Sequence, residues 1–256
     1  MSGNNAVRLI NDEPALGSWN MSVDQVLLET AAERGEPTFR IYAWEPATLS
    51  LGYFQDFASR NSHPPSQDCP VVRRASGGGA ILHDAEITYS VALPWTRDSH
   101  ASNRNLFDQV HRSLVTCLAH FGITGCEIYE PAKGEVANTS EPVRKPFLCF
   151  LRRSPGDVIL GADKVIGSAQ RRGKGALLQH GSILFRRSEY APELPGLLDA
   201  GVAIFAMEEF GGLWPQRLGK DMGWRLLPGR LSEQEIANAN RIERQTFGNE
   251  SWTGKR

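Results

Sequence analysis

Two side chains with complementary chemistry stand fifteen positions apart in "KPFLCFLRRSPGDVILGADKVIGSAQRR", residues 145–172: Cys149 and Lys164. A thiolate is a strong nucleophile, and a nearby ammonium stabilises it and can donate to a developing oxyanion. A cysteine in the alternation "FLCF" also fits a buried packing residue whose thiol is inert. Both residues fall near the ends of adjacent strand candidates, so contact between them is plausible. On pattern alone, packing remains the first reading of Cys149.

Two glycine-rich stretches carry further candidates. In "RRASGGGAILHD", residues 73–84, Gly77, Gly78 and Gly79 lack Cβ atoms, so backbone N–H groups there can approach a ligand. Arg73 and Arg74 just upstream could meet a carboxylate, a phosphate or a polarised carbonyl. A flexible turn beside a solvated arginine pair fits equally well. In "GSAQRRGKGALLQHGS", residues 167–182, "GKG" lacks the spacing of a phosphate-binding loop, because Gly175 follows Lys174 in place of Ser or Thr. Ser168, Gln170, Gln179 and His180 in strand-like context suit a pocket wall, or hydrogen bonding within a partly buried sheet. His83 and Asp84 are adjacent, and neighbours on a strand point to opposite faces, so a structural histidine is the better reading. No spacing of His, Asp or Glu suggests a metal site.

Elements that would position these groups can be read from periodicity. "NMSVDQVLLETAAERG" has apolar residues at helical spacing and ends at Gly35. "NLFDQVHRSLVTCLAHFG" predicts a second helix. "TFRIYAW", "TLSLGYF", "PVVRRA", "AILH" and "EITYSVALP" read as strands, as do "GCEIYE", "PFLCF", "DVILGADKVIGSA" and "ALLQHGSILF". A capping box, "SEQE", opens a helix at Ser232. Strands dominate the middle and helices stand apart from them, which favours α+β over a regular βαβ alternation. The texture changes after Pro192, and a catalytic domain over 1–190 with a small, mainly helical appendage over 191–256 is expected.

Composition sets outer limits. The 256 residues are 41% hydrophobic and 22% charged, ordinary for a soluble globular protein. A formal net charge of -1 argues against a general nucleic-acid binder. No apolar run reaches the ~18 residues of a membrane span, and the first residues do not read as a secretory signal. Cys69, Cys117, Cys126 and Cys149 form no CxxC pair, so a reducing, cytoplasmic setting is expected.

Taken together and in order, "NMSVD", "LSLGYFQ", "RRASGGGAILHDAEITYS", "KVIGSAQRR" and "LQHGSILF", with "NESWTGKR" at the end, resemble the biotin/lipoate protein ligase superfamily, in its lipoate-ligase and octanoyltransferase branch. The resemblance covers roughly residues 17–187. It implies a class II synthetase-like catalytic domain, a mixed and mainly antiparallel sheet flanked by helices, with the acyl group in a tunnel. It places Ser76, Gly77, Gly78, Gly79 and Ala80 behind the acyl or acyl-adenylate group and Lys164 against the activated acyl carbonyl or the adenylate phosphate. Arg73, Arg74, His83, Gly167, Ser168, Ala169, Gln179, His180 and Gly181 complete the implied substrate-binding set.

Cys149-Phe150 upstream of "KVIGSAQ", and "HDAEITYS", are similar to the cysteine-dependent octanoyltransferases. These move octanoate from acyl carrier protein, through a cysteine thioester, to a lysine of a lipoyl domain such as a glycine-cleavage H protein or a 2-oxoacid dehydrogenase E2. No cofactor and no metal is implied on that branch. "SGGGA" is the ligase-like spelling, and the ligase alternative implies ATP and Mg²⁺ with an acyl-adenylate. A non-catalytic acyl-binding relative is the third alternative.

Overall fold

The computed structural model describes residues 5–95, 100–131, 146–173, 175–199, 201 and 207–256. Lys145 and Lys174 lie outside the described residues. The first strand, β1 (Ala6–Asn11), is followed by α1 (Gly17–Arg34), β2 (Thr38–Tyr42), β3 (Thr48–Leu51), β4 (Val71–Arg73), β5 (Ile81–His83) and β6 (Glu86–Pro94). Then come α2 (His100–His120), β7 (Cys126–Ile128), β8 (Val158–Leu160), β9 (Asp163–Gly173) and β10 (Ala176–Leu184). The chain finishes with α3 (Met207–Met222), β11 (Arg225–Pro228), α4 (Glu233–Ile242) and the short α5 (Glu250–Thr253).

Eight strands form one sheet in the order β11-β1-β2-β6-β10-β9-β8-β7. β1 runs parallel to β2 and β11, and the other pairs are antiparallel. β6 and β10 pair along their whole length, from Glu86 opposite Leu184 to Pro94 opposite Ala176. β10 is buried at every position because helices cover both faces of the sheet.

Alternation along the strands divides the core. Phe39, Tyr89, Val91 and Ile183 face α2 and α3, which bring Val110, Leu114, Phe210, Trp214 and Leu218. Ile10, Tyr42, Ala92 and Leu178 face α1 and α4, which bring Val26, Leu27, Ala31 and Ile242. Each Val, Leu, Ile or Phe among them, fully buried, stabilises the fold by roughly 1.5–3 kcal/mol. A second sheet, β4-β3-β5, packs Leu49, Leu51 and Leu82 against Leu148, Phe150 and Leu184.

Residues 191–256, expected as a small, mainly helical appendage, contribute β11 to the main sheet. β11 extends the main sheet through parallel pairing with β1, and α3 supplies the fully buried Trp214, edge-on to Phe39 and Tyr89. α4 packs on α1, and Arg8 reaches Glu235 at 2.6 Å. The apolar stripe of α3 covers the main sheet beside α2, and that of α4 packs on α1.

Candidate active site

Cys149 opens a 3-10 turn, Cys149–Leu151, where the sequence pattern predicts a strand. The turn hangs on the glycine stretch: Ala80 N–H donates to Phe147 O at 2.9 Å, and Cys149 N–H donates to Ala80 O at 2.7 Å. That close approach needs Gly79, where a Cβ would stand 3.1–3.2 Å from Phe147 O and from Cys149 N and Cα. Leu148 and Phe150 are buried on either side, so Cys149 is left half-buried and facing a cavity. Burial pushes the Cys117 and Cys126 thiols up to about 11 and raises Cys69 as well. Those three are thiols at neutral pH.

Lys164 comes to Cys149 from β9. Its Nζ lies 4.0 Å from Sγ, 5.0 Å from the Phe150 ring centroid and 2.9 Å from Asp157 Oδ2. Both charged side chains are 4% exposed. The lysine tail folds over Gly167, where a Cβ would meet Lys164 Cε at 2.3 Å. Asp157 is fixed in turn by Ser154 N–H at 2.7 Å. Burial raises the Asp157 carboxyl, and the Lys164 ammonium opposes that rise. The arrangement puts one oriented positive charge where a thiolate, and then a tetrahedral oxyanion, would carry negative charge.

The two arginines part company, as alternation along an extended segment requires. Arg74 is fully buried and donates from Nη1 to Ser50 O and Oγ, and from Nη2 to Gly77 O and Gly79 O, at 2.8–3.1 Å. Burial lowers it to about 10, which leaves it charged at neutral pH. It therefore fixes the glycine stretch from behind. Arg73 points away from the cavity, donating from Nε to Thr253 O at 2.9 Å and from Nη1 to Gly52 O at 3.0 Å and Gln55 O at 2.6 Å.

His83 pairs with Glu86 (Nδ1 to Oε1, 2.6 Å) and Ser50 (Nε2 to Oγ, 2.7 Å) and stacks on Trp44 at 3.7 Å. Burial lowers its pKa. Asp84 instead accepts from Ser188 Oγ. His180 Nε2 lies 2.7 Å from Ser76 Oγ and its Nδ1 3.5 Å from Asp24. Asp24 also meets Arg40, Tyr42 and Ser90. Burial pushes that carboxyl up, but the His180 hydrogen bond and the Arg40 charge bring it below its usual range.

Cys149, Lys164, Arg74, Gly77, Gly78, His83, Gly167, Ser168, Ala169, His180 and Gly181 line one cavity of about 300 Å³. That volume is at the lower end of ligand pockets, ~300–1,000 Å³. Met21, Tyr42, Trp44, Ile81, Phe107 and Phe150 give it an apolar lining suited to an acyl chain. Ser76, Gly79, Ala80 and Gln179 stand behind this wall, and Arg73 is remote from it. Asp157, Trp44, Glu86, Asp24 and His111 escaped the sequence reading. For Asp157 the available signal was "SPGD" just before the strand run leading to Lys164.

A family model, the lipoyl protein ligase A/B catalytic domain, matches residues 17–191. The octanoyltransferase LipM of Kyrpidia tusciae is 30% identical over 92% of this chain and 94% of that protein. The LipM octanoyltransferase of Brevibacillus brevis is 28% identical, with 97% and 99% covered. Among solved structures, lipoate-protein ligase A bound with ATP superposes with a TM-score of 0.76 at 18% identity, over 97% of this chain and 98% of that one. At that identity the likeness is one of fold.

Proposed function

The chain belongs to the lipoyl protein ligase A/B catalytic domain family, and from that premise we propose that it is an octanoyltransferase working through a thioester on Cys149. The donor is octanoyl–acyl carrier protein, and the acceptor is a lysine of a lipoyl domain, such as a glycine-cleavage H protein or a 2-oxoacid dehydrogenase E2. The observation that carries this reading is a half-buried thiol in an apolar-walled cavity, 4.0 Å from a buried, carboxylate-oriented ammonium. Relatives that match nearly the full chain are named octanoyltransferases.

In the first half-reaction the Cys149 thiolate attacks the donor carbonyl carbon. The negative charge that develops on oxygen lies beside Lys164, the donor C–S bond breaks, and the leaving thiolate takes up a proton. In the second, the neutral amine of the acceptor forms a C–N bond, the Cys149 C–S bond breaks, and the proton shed by nitrogen ends on the released Cys149 sulfur. Exchange of one thioester for another is nearly isoenergetic, so the sequence needs no nucleotide and no metal, and splitting the transfer lowers each barrier. The four cysteines are free, in keeping with a reducing cytoplasm. Among the described residues no helix is long and apolar enough to cross a membrane.

The test supplies an apo lipoyl domain with octanoyl–acyl carrier protein without ATP, and separately with lipoate plus ATP. Modification in the first mixture is expected. Modification in the second mixture alone would establish adenylate chemistry in its place.

A further inference from the structure

One hydroxyl in the cavity wall has its hydrogen bonding fixed in direction. Ser168 follows Gly167 on β9, and its Oγ lies 2.6 Å from His111 Nε2 and 2.6 Å from Tyr89 OH. The other ring nitrogen, His111 Nδ1, is 2.6 Å from Gly156 O. A carbonyl only accepts, so Nδ1 carries the proton and Nε2 of the neutral ring accepts. Burial holds His111 down to about 4, so the ring is neutral at neutral pH. Ser168 must therefore spend its single hydrogen on His111 and accept from Tyr89. Tyr89 in turn accepts from Gln179 Nε2, and Gln179 Oε1 accepts from Gln170 Nε2, each at 2.9 Å. The chain of donors runs one way, and among the described residues one lone pair of Ser168 is left open.

The anchor of this chain is a shaped turn. Gly156 has φ +94°, and a Cβ there would stand 2.8 Å from Phe107 Cε1. The next residue is Asp157, the carboxylate that orients Lys164. One short turn thus fixes both the ammonium beside Cys149 and the polarity of Ser168.

An open lone pair is the wrong partner for an acyl carbonyl oxygen, which also only accepts and gains negative charge during attack. It suits an N–H. Building on the octanoyl-transfer reading, we propose that Ser168 accepts a hydrogen bond from the acceptor's lysine amine and aims that nitrogen at the Cys149 thioester, with His111 as the positioning residue that takes the hydroxyl hydrogen and leaves none to donate to the substrate. The neutral amine forms the C–N bond, the Cys149 C–S bond breaks, and the proton shed by nitrogen ends on the Cys149 sulfur.

The two half-reactions separate this role from a structural one. Wild type and Ser168→Ala are loaded with octanoyl-pantetheine, and the adduct on Cys149 is timed by intact mass. Apo lipoyl domain is then added at saturation. The expected result is loading within threefold of wild type and transfer about tenfold slower, the scale of one hydrogen bond. Equal slowing of both steps would make Ser168 structural and overturn the proposal. Slowing of loading alone would assign the hydroxyl to the donor's pantetheine amide and overturn it too, as would transfer at the wild-type rate. Failure of wild type to form any adduct would remove the octanoyl-transfer reading and this proposal together.

Discussion

Gly167→Ala should slow the chemistry while leaving the fold nearly intact. A Cβ at this position lies 2.3 Å from Lys164 Cε and 2.7 Å from Nζ, about 1 Å inside the ~3.5–4.0 Å of ordinary contact. The backbone raises no objection, since Gly167 is not among the glycines with positive φ. Alanine also restricts the unfolded chain, a gain of about 0.4–1 kcal/mol, which offsets part of what is lost as Lys164 is pushed from Asp157. What yields is the flexible lysine tail, and its ammonium must move by roughly the same 1 Å relative to Cys149. A displacement of ~1 Å at a reacting centre costs on the order of 100-fold in rate, or about 2.7 kcal/mol. Single-turnover octanoylation of Cys149, followed by intact mass, reads the rate, and thermal unfolding reads the fold. A rate about 100-fold lower is expected, with Tm within about 4 °C of wild type. Octanoylation within threefold of wild type would refute the argument that this ammonium's position governs the step.

Three other perturbations follow from the same geometry. His111 titrates near 6.5 when unfolded, and burial lowers it to about 4 when folded. The unfolded chain therefore binds the proton more tightly, and stability is full above ~6.5 and lost as pH falls toward ~4. Its share of the loss between about pH 7 and about pH 5 is about 2 kcal/mol, so urea unfolding of His111→Gln should show a shallower pH dependence; identical slopes would contradict the assignment. Asp157→Asn leaves the Lys164 ammonium buried without its charge partner, and a loss of about 3–5 kcal/mol is expected in denaturant unfolding; a loss under ~1 kcal/mol would mean that the pair is not oriented as described. Arg73→Met should lower Tm by several degrees through the lost Thr253, Gly52 and Gln55 bonds while octanoylation stays within threefold, and a collapsed rate at unchanged Tm would return Arg73 to the chemistry.

Long periodic elements were legible because local pattern and tertiary burial agree. α1 ends where Gly35 takes φ 68°, and "EITYSVALP" pairs along all nine positions of β6. "PFLCF" misled because two apolar residues flanking a cysteine look alike on a strand and on a 3-10 turn anchored at both sides. Ala80 decides between them, and it lies far back in sequence. Asp157 was hidden for a related reason. In "SPGD" a carboxylate reads as a turn residue, and only the irregular β8–β9 register, which sets Ile159 against Lys164, brings it beside the ammonium. β11 is four residues long, and its partner β1 lies at the other end of the chain, so no local signal tied residues 207–256 to the main sheet. The cysteine–lysine pairing was readable only through the ordered motifs around it, since neither residue's own neighbourhood distinguishes a reagent from packing.

Passage of the acyl group through Cys149 is open to one mass measurement. The protein is incubated with octanoyl–acyl carrier protein in the absence of nucleotide, then examined intact and by peptide mapping. One octanoyl group is expected on the peptide holding Cys149, with Cys69, Cys117 and Cys126 unmodified, and it should disappear when apo lipoyl domain is added. No adduct, or a Cys149→Ala variant that still transfers octanoate at the full rate, would rule out a Cys149 thioester.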